Sequence, residues 1–183
     1  MTVSLPQQLE TGIEGIDNQH RALLVWARTV NSMDADNGSR EVVLRAAQFL
    51  IAYTRYHFDS EEYAMVASGF EGVAQHRREH AMMRRELSKL NASINDHGAT
   101  AVGSVSSLQE LISGWVKYHI SSTDFAFARY CESEPSARSV HLPSPKELRA
   151  SGTRVADYDQ VETVHHAGEL TVGEMKARLK IRE

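Results

Sequence analysis

Cysteine is almost absent, with Cys131 alone among 183 residues. A single thiol excludes an intramolecular disulfide framework and a cysteine-based zinc ribbon, and is compatible with a reducing compartment. An excess of one charge is missing too. Twenty basic residues against 24 acidic ones leave a net charge of −4 with the histidines neutral, so no basic footprint points to nucleic acid. No apolar run approaches the ~18 residues of a membrane span, and the N-terminus lacks a basic start followed by a hydrophobic stretch. The expectation is a soluble, cytoplasmic protein. Strands are also lacking, because no stretch alternates β-branched residues with polar ones. The length suits one domain plus some extra, enough to bury a core without covalent staples.

What is present is helical periodicity, in four long patterns. The first follows "GIEGID", where Asp17 can cap, and Ile16, Leu23, Leu24, Ala27 and Val30 recur at roughly helical spacing. The second covers about 39–66, with Val43, Ala46, Ala47, Leu50, Ile51 and Phe58 on one stripe and Gly69 as its C-terminal glycine. The third covers about 71–94, and "NDHGATAVGS" reads as a loop. The fourth opens on a capping box, Ser107 with Glu110, and runs to about Cys131. Four long helices with short connections predict an all-α, up-down antiparallel four-helix bundle over residues 1–132. From 133 the character changes. Pro135, Pro143 and Pro145 interrupt "SEPSARSVHLPSP", which reads as a linker, and two weak helices follow at about 155–166 and 171–181. Thr171 and Glu174 make a second capping box ahead of Met175 and Leu179. Residues 133–183 are thus read as a C-terminal linker and weakly helical extension.

Nine histidines exceed ordinary usage, so their placement matters. His20 lies early in the first helix, His57 and Glu61 late in the second, His76 and His80 early in the third, and His119 and Asp124 in the fourth. Residues four apart lie about 40° apart around a helix and about 6 Å along it, so His57 with Glu61 and His76 with His80 each offer two ligands on one face. Up-down topology lets all these positions meet at one level. His119 and Asp124 fit less well, since a step of five leaves them about 140° apart on an ideal helix. Either a widened turn joins them or Asp124 reaches in from the edge. His97, His141, His165 and His166 fall outside the set and read as solvated.

"HRREH", residues 76–80, also fits a zinc-peptidase pattern, in which Glu79 would be the general base. That reading leaves His20, His57 and His119 unexplained, whereas in the bundle Glu79 is expected to face away among Arg77 and Arg78. Five imidazoles and two carboxylates are too many for one tetrahedral zinc. Nitrogen-rich coordination in a bundle core suits iron. The four long helices carry no Glu-x-x-His pair, the signature of the di-iron carboxylate enzymes.

Together "GIEGIDNQH", "HFDSEE", "HRREH" and "WVKYHISSTD" resemble the hemerythrin family in its bacterial form, over about residues 9–131, with all seven ligand positions filled by the family's residue types. Even the five-residue step from His119 to Asp124 is the family's spacing. The resemblance implies two iron ions with a bridging oxo or hydroxo group. It places His76, His80 and His119 on one iron, His20 and His57 on the other, and Glu61 and Asp124 as bridges. It further implies that dioxygen is taken up reversibly on the His20/His57 side. Reversibility needs a dry pocket, and Leu23, Phe58, Trp115, Val116 and Ile120 beside the ligands are its candidate walls, besides being ordinary core. Asp17 reads equally as a helix cap and as an acceptor orienting His20.

Three classes of function stay open at this point: an oxygen carrier or store, an oxygen, redox or nitric oxide sensor module signalling through the tail or a partner, and an oxidase or peroxidase. Few anionic ligands disfavour high iron oxidation states and O–O cleavage, which argues against the enzyme.

Overall fold

The computed structural model describes residues 7–31, 40–96, 101–137 and 139–151. Among them all regular structure is helical: α1 (Glu14–Asn31), α2 (Arg40–Ser68), α3 (Val73–Asp96), α4 (Ala101–His119), α5 (Phe125–Ser133) and α6 (Pro145–Ala150). A π-helical turn, Ile120–Asp124, joins α4 to α5, and short 3-10 turns occupy Gln7–Leu9 and Pro135–Ala137. The helices pack α1 on α2 and α4, and α2 and α4 on α3, which is the all-α bundle that the periodicity predicts.

Local chemistry sets the helix ends. α1 begins at Glu14, so Asp17 stands in its first turn instead of capping it from outside. There the carboxylate accepts three hydrogen bonds from the preceding loop: the Thr11 amide at 2.8 Å, the Thr11 hydroxyl at 2.8 Å and the Gly12 amide at 3.1 Å. The loop bends through Gly12 at φ +79°, a left-handed conformation that favours glycine. α2 ends as its glycine predicts. Gly69 sits at φ +75°, its amide donates to Val66, and Phe70 donates to Met65, the paired bonds of a Schellman motif. The start of α4 differs from the sequence reading, at Ala101 and not at Ser107. Ser107 and Glu110 are both exposed, so this capping-box spelling is only one polar face inside a longer helix.

Two apolar clusters fill the bundle. One joins Trp26, Phe49, Tyr53, Leu87 and Leu108 with Leu23, Phe58, Val116 and Ile120; the other joins Ile16, Met65, Phe127 and Cys131. Along each helix the metal-capable residues fall between these clusters, so a buried polar layer is sealed at both ends by hydrocarbon.

Residues 139–151, read from sequence as linker and tail, lie against this bundle. Leu148 belongs to the larger cluster, and Val140 and Leu142 pack on the smaller one. Leu142 fits because Gly15 has no side chain; a Cβ there would stand 3.0 Å from Leu142 Cδ1. Pro145 opens α6 where its missing N–H is harmless, and Ser144 and Glu147 close a capping box around it. An element of six residues is too short to leave a periodic trace. The predicted helices at 155–166 and 171–181, the Thr171/Glu174 box, His97, His165 and His166 lie outside the described residues.

Candidate metal centre

The π-helical turn resolves the awkward step in α4. Ser121, Ser122 and Thr123 form weak helix and offer hydroxyls that stand in for displaced backbone donors. Ser122 Oγ donates to the Tyr118 carbonyl at 2.6 Å, and Ser121 Oγ lies 3.3 Å from the same oxygen. The widened turn puts His119 and Asp124 on one side, with Asp124 Oδ1 3.1 Å from His119 Nε2.

All seven metal-capable residues converge and are buried, none more than 1% exposed. Their ligand atoms form two groups, Glu61 with His76, His80 and His119, and His20 with His57, Glu61 and Asp124, each within 4.8 Å. The carboxylates span both. Asp124 Oδ2 stands 3.0 Å from His20 Nε2 while Oδ1 faces His119 and, at 3.5 Å, His76. Glu61 Oε1 lies 3.8 Å from His20 Nε2, and its Oε2 lies 3.3 Å from His76 and 3.7 Å from His57.

Several of these atoms make no hydrogen bond. Nε2 of His20 and His57, Oε1 of Glu61 and both oxygens of Asp124 are buried without a hydrogen bond. His80 Nε2 faces His119 Nε2 at 2.9 Å, and at most one of these atoms carries a proton. Two imidazoles bound at right angles to one ion, with bonds of about 2.1 Å, stand about 3 Å apart. The donor set therefore fits cations in both groups.

Burial sets the electrostatics. It depresses the imidazolium forms of His57, His76 and His80, and in His57 the neighbouring His20 adds to the effect. Neutral rings with free lone pairs result. Burial and the charge of Asp124 push the Glu61 carboxyl up. For Asp124 burial also pushes upward, but His119 and His20 outweigh it and hold the carboxylate ionised. Two carboxylates here are compatible only if positive charge lies between them.

A surrounding layer orients the rings. His57 Nδ1 pairs with Gln19 Oε1 at 2.8 Å, and His80 Nδ1 with Glu62 Oε1 at 2.9 Å. Glu62 is in turn held by Arg77 at 3.0 Å and Arg84 at 3.3 Å. Phe58 stacks on His80 at 3.6 Å between centroids, and Trp115 on His119 at 4.2 Å. These two candidate pocket walls thus back the three-histidine group; Leu23, Val116 and Ile120 are buried in the larger apolar cluster. Glu79 does not face away as expected. Its Oε2 accepts the Thr123 hydroxyl at 2.6 Å and lies 3.6 Å from His119 Nδ1. Asp17 is occupied by the loop and does not orient His20. Gln19, Glu62, Glu79 and Thr123 escaped the sequence reading because their partners are on other helices. His141 is exposed and pairs with Glu147 at 3.1 Å.

Fold and site together define a cation-binding helical bundle, with a donor set suited to non-haem iron. Residues 11–131 match the model of the hemerythrin HHE cation binding domain, and the chain belongs to the hemerythrin family. It is similar to a bacteriohemerythrin of Pseudomonas paraeruginosa, 28% identical over 120 residues that cover 65% of this chain and 74% of the relative. A bacteriohemerythrin of Clostridium acetobutylicum is 24% identical over 122 residues, covering 64% of this chain and 92% of the relative. No solved structure gives a significant match. No helix among the described residues is long and apolar enough to cross a membrane.

Proposed function

We propose that this protein binds dioxygen reversibly at a non-haem di-iron centre, as a carrier, store or sensing module of the cytoplasm and not as an enzyme. His76, His80 and His119 hold one iron, His20 and His57 the other, and Glu61 and Asp124 bridge them. The observation that carries this reading is the uneven division of donors. Two carboxylates reach both groups, while three imidazoles serve one side and two the other. The His20/His57 side is thus one protein ligand short, and a small molecule can complete it. When bound, the iron pair with an oxo or hydroxo bridge supplies an electron from each ion and an open coordination position, the chemistry reversible dioxygen uptake needs.

The chain's own residues keep that chemistry reversible. The neutral imidazoles leave only two anionic protein ligands, which gives little support to the high oxidation states an oxidase requires. Leu23, Phe58, Val116 and Ile120, all 3% exposed or less, exclude the water that would strip away reduced oxygen species. Nitric oxide is the alternative small ligand. A sensor reading gains support from residues 139–151, which dock on the bundle beyond the family's matched region and offer a site for a protein partner to act.

The test is the visible spectrum of protein loaded with Fe²⁺ under argon, then exposed to air, then returned to argon. Two irons per chain and a band that appears in air and vanishes under argon are expected. One zinc per chain without iron uptake, or irreversible bleaching, would overturn the reading.

A further inference from the structure

One hydrogen-bonded chain leads out of the centre to a segment that the family model does not cover. His57 Nδ1 meets Gln19 Oε1 at 2.8 Å, Gln19 Nε2 donates to Tyr56 Oη at 3.1 Å, and Tyr56 Oη donates to the Pro143 carbonyl at 3.4 Å. Tyr56, Gln19 and Pro143 are buried, so none of these groups can turn to water instead. Pro143 stands two residues before α6, whose Leu148 is seated in the main core.

The chain has two self-consistent directions. A cation on His57 Nε2 forces the ring proton onto Nδ1. Gln19 then presents its oxygen to that proton and its amide to Tyr56, and the tyrosine hydrogen is left for Pro143. Without a cation the proton can sit on Nε2, and Nδ1 becomes an acceptor. The amide of Gln19 then turns over, its NH2 facing His57 and its oxygen facing Tyr56. The Tyr56 hydrogen goes to Gln19, and the Pro143 carbonyl loses its donor. Ser60 allows both states. Its Oγ lies 3.1 Å from Gln19 Oε1 and 2.8 Å from the His57 carbonyl, so it donates to either and can accept from a turned amide.

We propose that Gln19 and Tyr56 are positioning residues through which occupancy of the His20/His57 side sets how firmly residues 139–151 clasp the bundle. This rests on the metal assignment above. The clasp is tightened by the metal and loosened by its loss, and by reciprocity a partner that lifts the clasp weakens the hold on His57.

Amide hydrogen exchange of the peptide spanning 143–151 tests this in the full chain, metal-free and loaded with Fe²⁺ under argon. One buried hydrogen bond gained predicts exchange slower by about fivefold on loading. Tyr56→Phe, which leaves every metal-capable side chain in place, should take up the same iron and show no change in exchange. Gln19→Glu should also lose the response, because a carboxylate cannot donate to Tyr56 and claims its hydrogen in both states. Equal exchange in metal-free and loaded wild type overturns the proposal, as does a response that survives in a folded Tyr56→Phe or Gln19→Glu chain. Iron is counted on the same samples. Fewer than two irons per chain defeats the di-iron reading, whereas two irons with an unresponsive clasp defeats only the relay.

Discussion

Glu62 accepts the Nδ1 proton of His80 across the interface of α2 and α3, at 2.9 Å, from a carboxylate itself pinned by Arg77 and Arg84. The contact fixes which nitrogen of His80 faces the interior, and makes that nitrogen a better donor. Glu62→Ala is therefore expected to weaken iron binding about 10- to 100-fold while leaving all seven ligands in place. Competition against a chelator of known affinity measures this. Unchanged affinity in Glu62→Ala would show that Phe58 stacking alone orients the ring.

Glu61 and Glu79 separate the metal reading from the peptidase spelling of "HRREH". Glu61→Gln removes charge from a carboxylate that belongs to both donor groups, and is expected to lower iron content or abolish the air-induced band. Glu79→Ala removes the acceptor of the Thr123 hydroxyl and is expected to cost about 1 kcal/mol of stability with both irons retained. Elemental analysis and urea midpoints of the two variants decide. Normal iron in Glu61→Gln together with a lost centre in Glu79→Ala would reverse the assignment.

The metal-free protein should become more stable from pH 5 to pH 7. The folded chain holds His57, His76 and His80 below their ordinary 6.5, so in this range the unfolded chain takes up protons that the folded chain refuses. Glu61 acts oppositely, since its raised carboxyl keeps a proton when folded and gives it up when unfolded. Up to three protons against one leave the histidines dominant, and each unbalanced proton is worth about 1.4 kcal/mol per pH unit. Urea midpoints at pH 5, 6 and 7 should rise. A midpoint that falls over this range would mean that the rings are charged inside the folded chain.

Leu23 is 2% exposed, one turn beyond His20. Leu23→Ala should cost about 2–5 kcal/mol through the cavity it leaves, and admit water near the His20/His57 side. With iron content unchanged, the air-induced band should decay faster than in wild type. An equal decay rate would reduce Leu23 to a packing residue.

The helices and the seven converging residues were legible because each rests on spacing along one helix, which a sequence displays directly. His57 with Glu61 and His76 with His80 are pairs of that kind. Gln19, Glu62 and Glu79 were not, because a partner on another helix leaves no periodic signature. Glu79 departs from its expected place for a related reason, since neighbouring arginines suggest a solvated face while Thr123 approaches from the π-helical turn. The clasp was hidden by composition. Prolines that mark a linker when nothing covers them also start a short capped helix, and only burial of Leu148 tells the two apart.

The widened turn at Ile120–Asp124 divides one long helix into two phases. Leu108, Leu111, Trp115 and His119 recur at three and four, as do Asp124, Phe127 and Cys131, but the two series are offset by the step of five. Upstream of the turn the helix is keyed to the larger apolar cluster, and downstream to the smaller one. Deleting Ser121, an exposed residue with no ligand role, would let the helix close into a continuous α ladder. His119 and Asp124 would then be separated by a step of four, about 40° around an ideal helix, where the step of five is about 140°. The two series would merge into one run of threes and fours from Leu108 to Cys131, so His119 and Asp124 still share a face and Trp115 and Phe127 keep their clusters. The turn is a pleat that takes up one surplus residue, and a deletion there lets it out without moving a ligand off its face.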